Sequence, residues 1–163
     1  MFRGQFQHSI DAKGRVSVPV RFREALLPEG RSQFVVAPDP FDPCLHLFPL
    51  PAWEELERKI AALPSLDSHV VRFRRLYVSA ASECELDRVG RMLVPPHLRE
   101  RAALTRDVLF AGTVSRVELW ARERWDAAVS MTPAELAEFK WARQKSKLAG
   151  TIRGSYFVIK GEY

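Results

Sequence analysis

Asp11-Ala12-Lys13-Gly14-Arg15-Val16-Ser17-Val18-Pro19-Val20-Arg21-Phe22-Arg23-Glu24 and Asp87-Arg88-Val89-Gly90-Arg91-Met92-Leu93-Val94-Pro95-Pro96-His97-Leu98-Arg99-Glu100 are one segment written twice, 76 residues apart. Seven of the fourteen positions are identical: Asp11/Asp87, Gly14/Gly90, Arg15/Arg91, Val18/Val94, Pro19/Pro95, Arg23/Arg99 and Glu24/Glu100. Chance alone would give about one match, so the chain contains an internal repeat. The correspondence continues outward. Phe34-Val-Val-Ala37 stands against Val108-Leu-Phe-Ala111, and Leu47-Phe48 with Trp53 against Leu119-Trp120 with Trp125. Two units follow, 1–81 and 82–163, each small for an independent core. Two such units are expected to share one core, as a pseudo-dimer within a single chain.

Each unit opens with alternating apolar and polar residues, Phe6, His8 and Ile10, then Val16, Val18 and Val20. Between them Asp11–Gly14 reads as a short turn in which glycine supplies a positive φ, so a hairpin is expected, repeated around Asp87–Gly90. Pro19 and Pro95 end the strand because proline cannot donate to a ladder. Short helices fit 21–27 and 97–104, and short strands fit 34–37, 45–48, 108–110 and 117–120. Helices close each unit. The spacing of Trp53, Leu56, Ile60 and Leu63 predicts one over 51–63, and that of Val70, Phe73, Tyr77 and Ala80 another over 66–81. Thr132-Pro133-Ala134-Glu135 reads as a capping box opening a helix over 133–148. That helix carries Leu136, Phe139 and Ala142 inward, with Gly150 as its C-cap. Residues 155–159 form a final strand or a partner-binding segment. Hairpin cores thus lie at about 5–48 and 82–120 and helices at 51–81 and 122–148. Strands first and helices after is an α+β pattern.

Composition narrows the function classes. The chain has 163 residues, is 47% hydrophobic and 28% charged, and carries a formal net charge of +5. These are globular values, not those of a disordered tail. Two cysteines exclude a disulfide scaffold, no apolar run approaches the roughly 20 residues of a membrane span, and the opening residues lack a signal-peptide core. A cytoplasmic protein is expected. The excess charge is shared between the halves, net +2 over 1–81 and +3 over 82–163, and 19 of the 25 cations are arginine. Arginine forks match phosphates and guanine edges, although a GC-rich genome also enriches arginine.

The duplicated Asp-x-x-Gly-Arg turn is the leading candidate site. An aspartate at a turn start accepts backbone N–H groups and can hold the arginine four residues on. An arginine held this way loses less entropy on meeting a phosphate or base. The plain alternative is a structural turn with a solvated ion pair. Asp11 and Asp87 as an acid/base pair is disfavoured, since an arginine partner keeps each pKa low. Arg72, Arg74 and Arg75 with Arg58 and Lys59, and Lys140, Arg143, Lys145 and Lys147, read as solvated helix faces. Cys44, His46, Cys84 and His97 show no CxxC or HxxxH spacing, so no metal is expected from them, and Cys84 reads as a small apolar strand residue. No nucleophile elbow, phosphate loop or zinc-protease motif occurs, so neither a catalytic residue nor a cofactor is expected.

At these motifs the sequence resembles the MraZ family. The resemblance rests on Met1-Phe2-Arg3-Gly4, on His8-Ser9-Ile10-Asp11-Ala12-Lys13-Gly14-Arg15, on Val18-Pro19-Val20-Arg21-Phe22-Arg23, and on Cys84-Glu85-Leu86-Asp87-Arg88-Val89-Gly90-Arg91 with Leu93-Val94-Pro95-Pro96. It covers residues 1 to about 148. It implies two tandem SpoVT/AbrB-like modules interlocked into a swapped-hairpin-type β-barrel with peripheral helices. It also implies a nucleoid-associated bacterial transcriptional regulator that represses the division and cell-wall gene cluster headed by its own gene. The partners implied are double-stranded promoter DNA bearing direct repeats and further copies of the chain in a ring, octamer-like. Carried over by position, Arg15 and Arg91 contact DNA, Asp11 and Asp87 orient them, and Gly14 and Gly90 close the turns. Lys13 fills the basic turn position, which Val89 occupies in the second unit with Arg88 beside it, and Arg3 is a phosphate contact. Residues 83–106 hold five basic and four acidic side chains, which suggests a weaker second surface. A ring-forming interaction scaffold with incidental nucleic-acid binding is the other reading, separable by the salt dependence of binding.

Overall fold

The computed structural model of the protein describes residues 1–138. Up to Val129, eight strands and five α-helices follow in the order β1 (Phe2–Ser9), β2 (Arg15–Ser17), α1 (Val20–Leu26), β3 (Gln33–Pro38), β4 (Cys44–Pro49), α2 (Leu50–Ala61), α3 (Ser68–Leu76), β5 (Ser82–Glu85), β6 (Arg91–Leu93), α4 (Pro96–Arg101), β7 (Asp107–Val114), β8 (Val117–Ala121) and α5 (Arg122–Val129). The mixed helix and antiparallel-sheet class expected from the sequence is what is seen. Helix starts follow the prolines: Pro19, Pro49 and Pro95 are the N-cap residues of α1, α2 and α4. α3 is capped by Asp67, whose side chain accepts the His69 N–H at 2.8 Å. Among the described residues, no helix is long and apolar enough to cross a membrane.

The strands form a six-stranded sheet in the order β1-β7-β8-β4-β3-β5 and a separate two-stranded ribbon of β2 and β6, all antiparallel. The two stretches related by the repeat exchange partners. β1 pairs with β7 just as β5 pairs with β3, while β2 meets its own equivalent β6, and β4 meets β8. In the ribbon Val16 lies opposite Met92, the residue 76 positions on. Four of the six strand pairings therefore join the two halves of the chain, and only β3–β4 and β7–β8 pair within one half.

This corrects the expected hairpin. Asp11 and Arg15 close a turn, with the Asp11 N–H donating to the Arg15 carbonyl at 2.8 Å. Only the single bridge Ile10↔Val16 extends it. Beyond that bridge β1 leaves for β7, with eight residue pairs from Phe2↔Val114 to Ser9↔Asp107, and β2 leaves for β6. Val20 also departs from the strand alternation: it begins α1 and is exposed.

Residues Met1–Ala128 form one compact unit. Its main core gathers the inward residues of the ribbon, Val16, Val18, Met92 and Val94, with Phe22, Leu26 and Leu98 from α1 and α4 and with Phe34, Leu45, Phe110 and Leu119 from the large sheet. Phe2 and Phe6 meet Phe22 edge-on, with ring centroids 5.9 and 5.1 Å apart. β3 is buried on both faces. Phe34 and Val36 enter the main core, whereas Val35 and Ala37 join Phe48, Trp53, Ile60 and Tyr77 in a second cluster with residues of α2 and α3. That two-sided burial explains its unbroken apolar run. The repeated aromatic spacing is realised as contact: Phe48 meets Trp53 at 5.6 Å and Trp120 meets Trp125 at 5.8 Å.

The remaining described residues belong to a second unit, Val129–Tyr163. There the Thr132 hydroxyl accepts the Glu135 N–H at 3.2 Å, and the Glu135 carboxylate accepts the Thr132 N–H at 2.7 Å, opening a helical stretch over 133–138. This is the expected capping box. Leu136, expected inward, is instead 41% exposed. Phe139 and Ala142, expected inward with it, the expected Gly150 cap, the cations Lys140, Arg143, Lys145 and Lys147, and the tail over 155–159 lie outside the described residues.

Candidate nucleic-acid interface

Asp11 organises the first turn with both carboxylate oxygens. Oδ1 accepts the N–H groups of Lys13 and Arg15, each at 2.9 Å. Oδ2 accepts Arg15 Nε at 2.8 Å and Nη2 at 2.7 Å, a bidentate fork. Gly14 returns its N–H to the Asp11 carbonyl at 2.9 Å with φ +81°, a conformation open to glycine and costly for L side chains. Asp87 repeats this arrangement. Oδ1 accepts the N–H groups of Val89 (3.1 Å) and Arg91 (2.9 Å), Oδ2 accepts Arg91 Nε and Nη2 at 2.8 Å each, and Gly90 also has φ +81°. The Arg15 side chain, supported by the N–H groups of Arg15 and Lys13, holds the Asp11 carboxyl at about 2. The Arg91 N–H, then its side chain and the Val89 N–H, lower Asp87 as well.

The ribbon brings the two turns together. β2 and β6 turn Val16 and Met92 inward, so Arg15, Ser17, Arg91 and Leu93 share the outward face. The register sets Arg15 opposite Leu93 and Ser17 opposite Arg91, which makes the two arginines diagonal neighbours, about 7–8 Å apart at the backbone. Each arginine side chain is about one-third exposed, 32% and 33%. Asp11 and Asp87 each close on their own arginine, so neither is set up for proton transfer.

Two further arginines reach this place by crossing over. A Cβ added at Gly90 would stand 2.0 Å from the Arg23 guanidinium, and one at Gly14 would stand 2.8 Å from Arg99 Nη1. Each half thus lays an arginine against the other half's turn glycine. Backbone bonds cross in the same way, Val18 N–H to the Gly90 carbonyl (3.0 Å) and Val94 N–H to the Gly14 carbonyl (2.9 Å). Arg23 and Arg99 were visible as identities in the repeat, but no motif marked them as part of the site. Lys13 and Arg88 stand exposed at the turn tips, and Val89 is 62% exposed. Arg3 is not brought to the turns. It lies six residues up β1 from Ser9, roughly 20 Å along an extended strand, opposite Thr113.

The remaining candidates separate. Arg74 is no free solvated cation, because its Nη2 donates to the carbonyls of Ile60, Ala61 and Leu63 at 2.9–3.2 Å and so closes the end of α2. Arg58 and Lys59 pair with Glu55 on the α2 surface. Cys84 is a buried β5 residue opposite Phe34, its thiol pushed up to about 11 by burial. His97 approaches the Ala80 carbonyl at 3.2 Å. Cys44 and His46 do meet, with Asp39 between the ends of β3 and β4.

A family model described as "MraZ protein, putative antitoxin-like" matches residues 1–75 and 77–145. The chain is 41% identical over 153 residues to the transcriptional regulator MraZ of Azotobacter vinelandii, covering 94% of this chain and 97% of that protein. It is 47% identical over 125 residues to the transcriptional regulator MraZ of Heliobacterium modesticaldum, covering 77% and 84%. To that of Escherichia coli it is 43% identical over 129 residues, covering 79% and 85%.

Proposed function

The chain belongs to the MraZ family, and from that membership and the paired arginine turns we propose that it is a transcriptional regulator that binds double-stranded DNA sequence-specifically through the β2–β6 ribbon. One observation carries this reading: two Asp-held arginines, 76 residues apart in sequence, stand as diagonal neighbours on one outward-facing ribbon. A two-stranded ribbon fits the major groove of B-DNA, where arginine pairs bidentately with guanine O6 and N7. The aspartate engages Nε and Nη2, two of the five guanidinium donors, and leaves three for phosphate or base. Holding the side chain beforehand lowers an ordering cost of about 0.5–1.5 kcal/mol per side chain. Arg23 and Arg99 behind the turns, with Lys13 and Arg88 at the tips, supply the positive field. Gly14 and Gly90 let the turns form, and Arg3 serves as an outlying phosphate contact.

The same reading extends to assembly and target. The exchanged strand pairing supports two SpoVT/AbrB-like modules, 1–81 and 82–163, interlocked as a swapped-hairpin-type barrel. Copies of the chain assemble into an octamer-like ring on direct repeats upstream of the division and cell-wall gene cluster, its own gene included, and repress it at the nucleoid. One ribbon reads only a few base pairs, and linking modules adds roughly 10²–10⁴ in avidity when several sites are engaged together. Repeats spaced near one helical turn, about 34–36 Å, would present those sites on one face of the duplex.

The test is a gel shift on the DNA upstream of its own gene. Arg15→Ala is expected to lose the specific complex while keeping its sedimentation behaviour and circular dichroism. A variant that shifts this DNA as well as the wild type does would overturn the assignment. A salt-independent affinity would also count against it, because each phosphate contact contributes about 0.9 to the log–log salt slope.

A further inference from the structure

Away from the ribbon, the corner between β3 and β4 buries a mixed set of metal-ligand atoms. Cys44 and His46, two residues apart on β4, share one face of the strand, and Asp39 follows the end of β3. The Cys44 sulfur, a His46 ring nitrogen and an Asp39 carboxylate oxygen all lie within 4.8 Å of one another. Cys44 is 1% exposed and His46 3%. Each ligand is already aimed. The N–H groups of Phe41 and Asp42 hold Asp39 Oδ1 at 2.7 and 3.0 Å, which turns Oδ2 toward the histidine. The Tyr77 hydroxyl sits 3.1 Å from His46 Nδ1, fixing the ring so that Nε2 faces Asp39. Nε2 is fully buried and has no well-directed hydrogen bond, although Oδ2 lies 2.7 Å away.

We propose that Asp39, Cys44 and His46 form a binding site for a zinc-class divalent cation. The mixed S, N and O donor set suits a borderline-soft ion and not Mg²⁺ or Ca²⁺, which take oxygen ligands. The local field favours a cation. The carboxylates of Asp39, Asp42 and Glu118 face the Cys44 thiol, and Arg116 is a cation that opposes them. Glu118 stands directly across from His46 in the β4–β8 register. Tyr77 is the outer partner that a metal-bound histidine needs, accepting from Nδ1–H while Nε2 binds the ion. Tetrahedral zinc with bonds of about 2.0–2.2 Å to nitrogen and oxygen separates those atoms by about 3.3 Å. Asp39 and His46 therefore need to part by only roughly 0.6 Å from their 2.7 Å contact. A water completes the fourth position. The balance is one ion in and one proton out: the Cys44 S–H bond breaks, the sulfur binds the metal and that proton goes to solvent, while the neutral His46 ring shifts its proton from Nε2, beside Asp39, to Nδ1, where it is donated to the Tyr77 hydroxyl. The spacing Asp-x4-Cys-x-His matches no familiar zinc motif, because the carboxylate arrives by the turn back from β3.

The test uses the full chain, stripped with a chelator and titrated with Co²⁺ and then Zn²⁺. One Co²⁺ per chain is expected, with a thiolate-to-cobalt charge-transfer band and intense visible bands of tetrahedral cobalt. Stoichiometric Zn²⁺ should bleach both, with release of one proton per chain. Cys44→Ser and Asp39→Asn should abolish the charge-transfer spectrum, and Cys84→Ser should leave it unchanged. A wild-type chain with no charge-transfer band would overturn the proposal without recourse to any variant. So would a band that survives Cys44→Ser or disappears with Cys84→Ser.

Discussion

The turn over Asp11–Arg15 and the turn over Asp87–Arg91 are one device built twice. Both carboxylates accept the same two backbone N–H groups and the same two guanidinium nitrogens, with matching distances within 0.2 Å. Their exposed positions differ. Lys13 at the first tip becomes Val89 at the second, and Ser17 on the outward face becomes Leu93, which is 56% exposed. An open groove of about 680 Å³, lined by Ser9, Ile10, Asp11, Arg99, Leu104 and Arg106 among others, flanks the first turn. Identity is kept where the carboxylate, the positive φ and the fork demand it, and chemistry varies where only a partner would feel it. The invariant part holds an arginine, and the variable part sets what surrounds it.

The largest effect should come from removing the arginines. Arg15→Ala is expected to cost about 1–3 kcal/mol per lost base contact, multiplied across the modules of an assembly. Arg91→Ala should cost less, since the second surface is less basic, and the double variant should lose specific binding altogether. Quantitative DNA titrations would check the order, and an Arg91→Ala loss exceeding that of Arg15→Ala would invert the comparison.

Next come the glycines. Alanine at either position is forced into a positive φ, at roughly 1–3 kcal/mol. Gly90→Ala should destabilise more than Gly14→Ala. Its Cβ would fall 2.0 Å from the Arg23 guanidinium, whose Nε also donates to the Val18 carbonyl at 2.6 Å, whereas the Gly14 clash is 2.8 Å from one terminal nitrogen. Thermal unfolding of the two variants would show the order directly.

Acid separates the turns more gently. Asp11 has its pKa lowered from 3.8 to about 2, so its ion pair is complete above 3.8 and is lost as the pH falls through about 2. Carboxyl carbon NMR should show Asp11 titrating below the normal aspartate range, with Asp87 also lowered. A normal Asp11 titration would mean the fork is open in solution. The smallest effects belong to the tips. Lys13→Ala should reduce the log–log salt slope of DNA binding by about 0.9, and Val89→Lys should raise it by the same amount.

Much of this was legible in the sequence, because the repeat marked turns, prolines and strands together. Strands at 34–37 and 117–120 and the helix at 51–63 appear within about two residues of their expected limits. Pairing was not legible. Alternation in Phe6, His8 and Ile10 says that a strand forms but not which strand accepts it. Eight pairs with β7 outweigh what the three-residue β2 could offer. Pro19 and Pro95 mark strand ends in the sequence, yet Val20 still fits the strand alternation because its apolar character suits either state. The cross-over of Arg23 and Arg99 was hidden for a related reason. Their positions depend on how α1 and α4 lie against the opposite turn, which a one-dimensional pattern does not contain. Asp39 escapes the sequence reading because four residues of turn separate it from Cys44, outside any known ligand spacing.

Hydrogen–deuterium exchange of the full chain, with and without duplex DNA from upstream of its own gene, tests the central claim most directly. Peptides spanning 11–17 and 87–93 should gain protection together on binding, the first more than the second, while those over α2 and α3 stay unchanged. Protection confined to other segments, with both turns exchanging as in the free protein, would contradict the ribbon as the DNA-contacting surface.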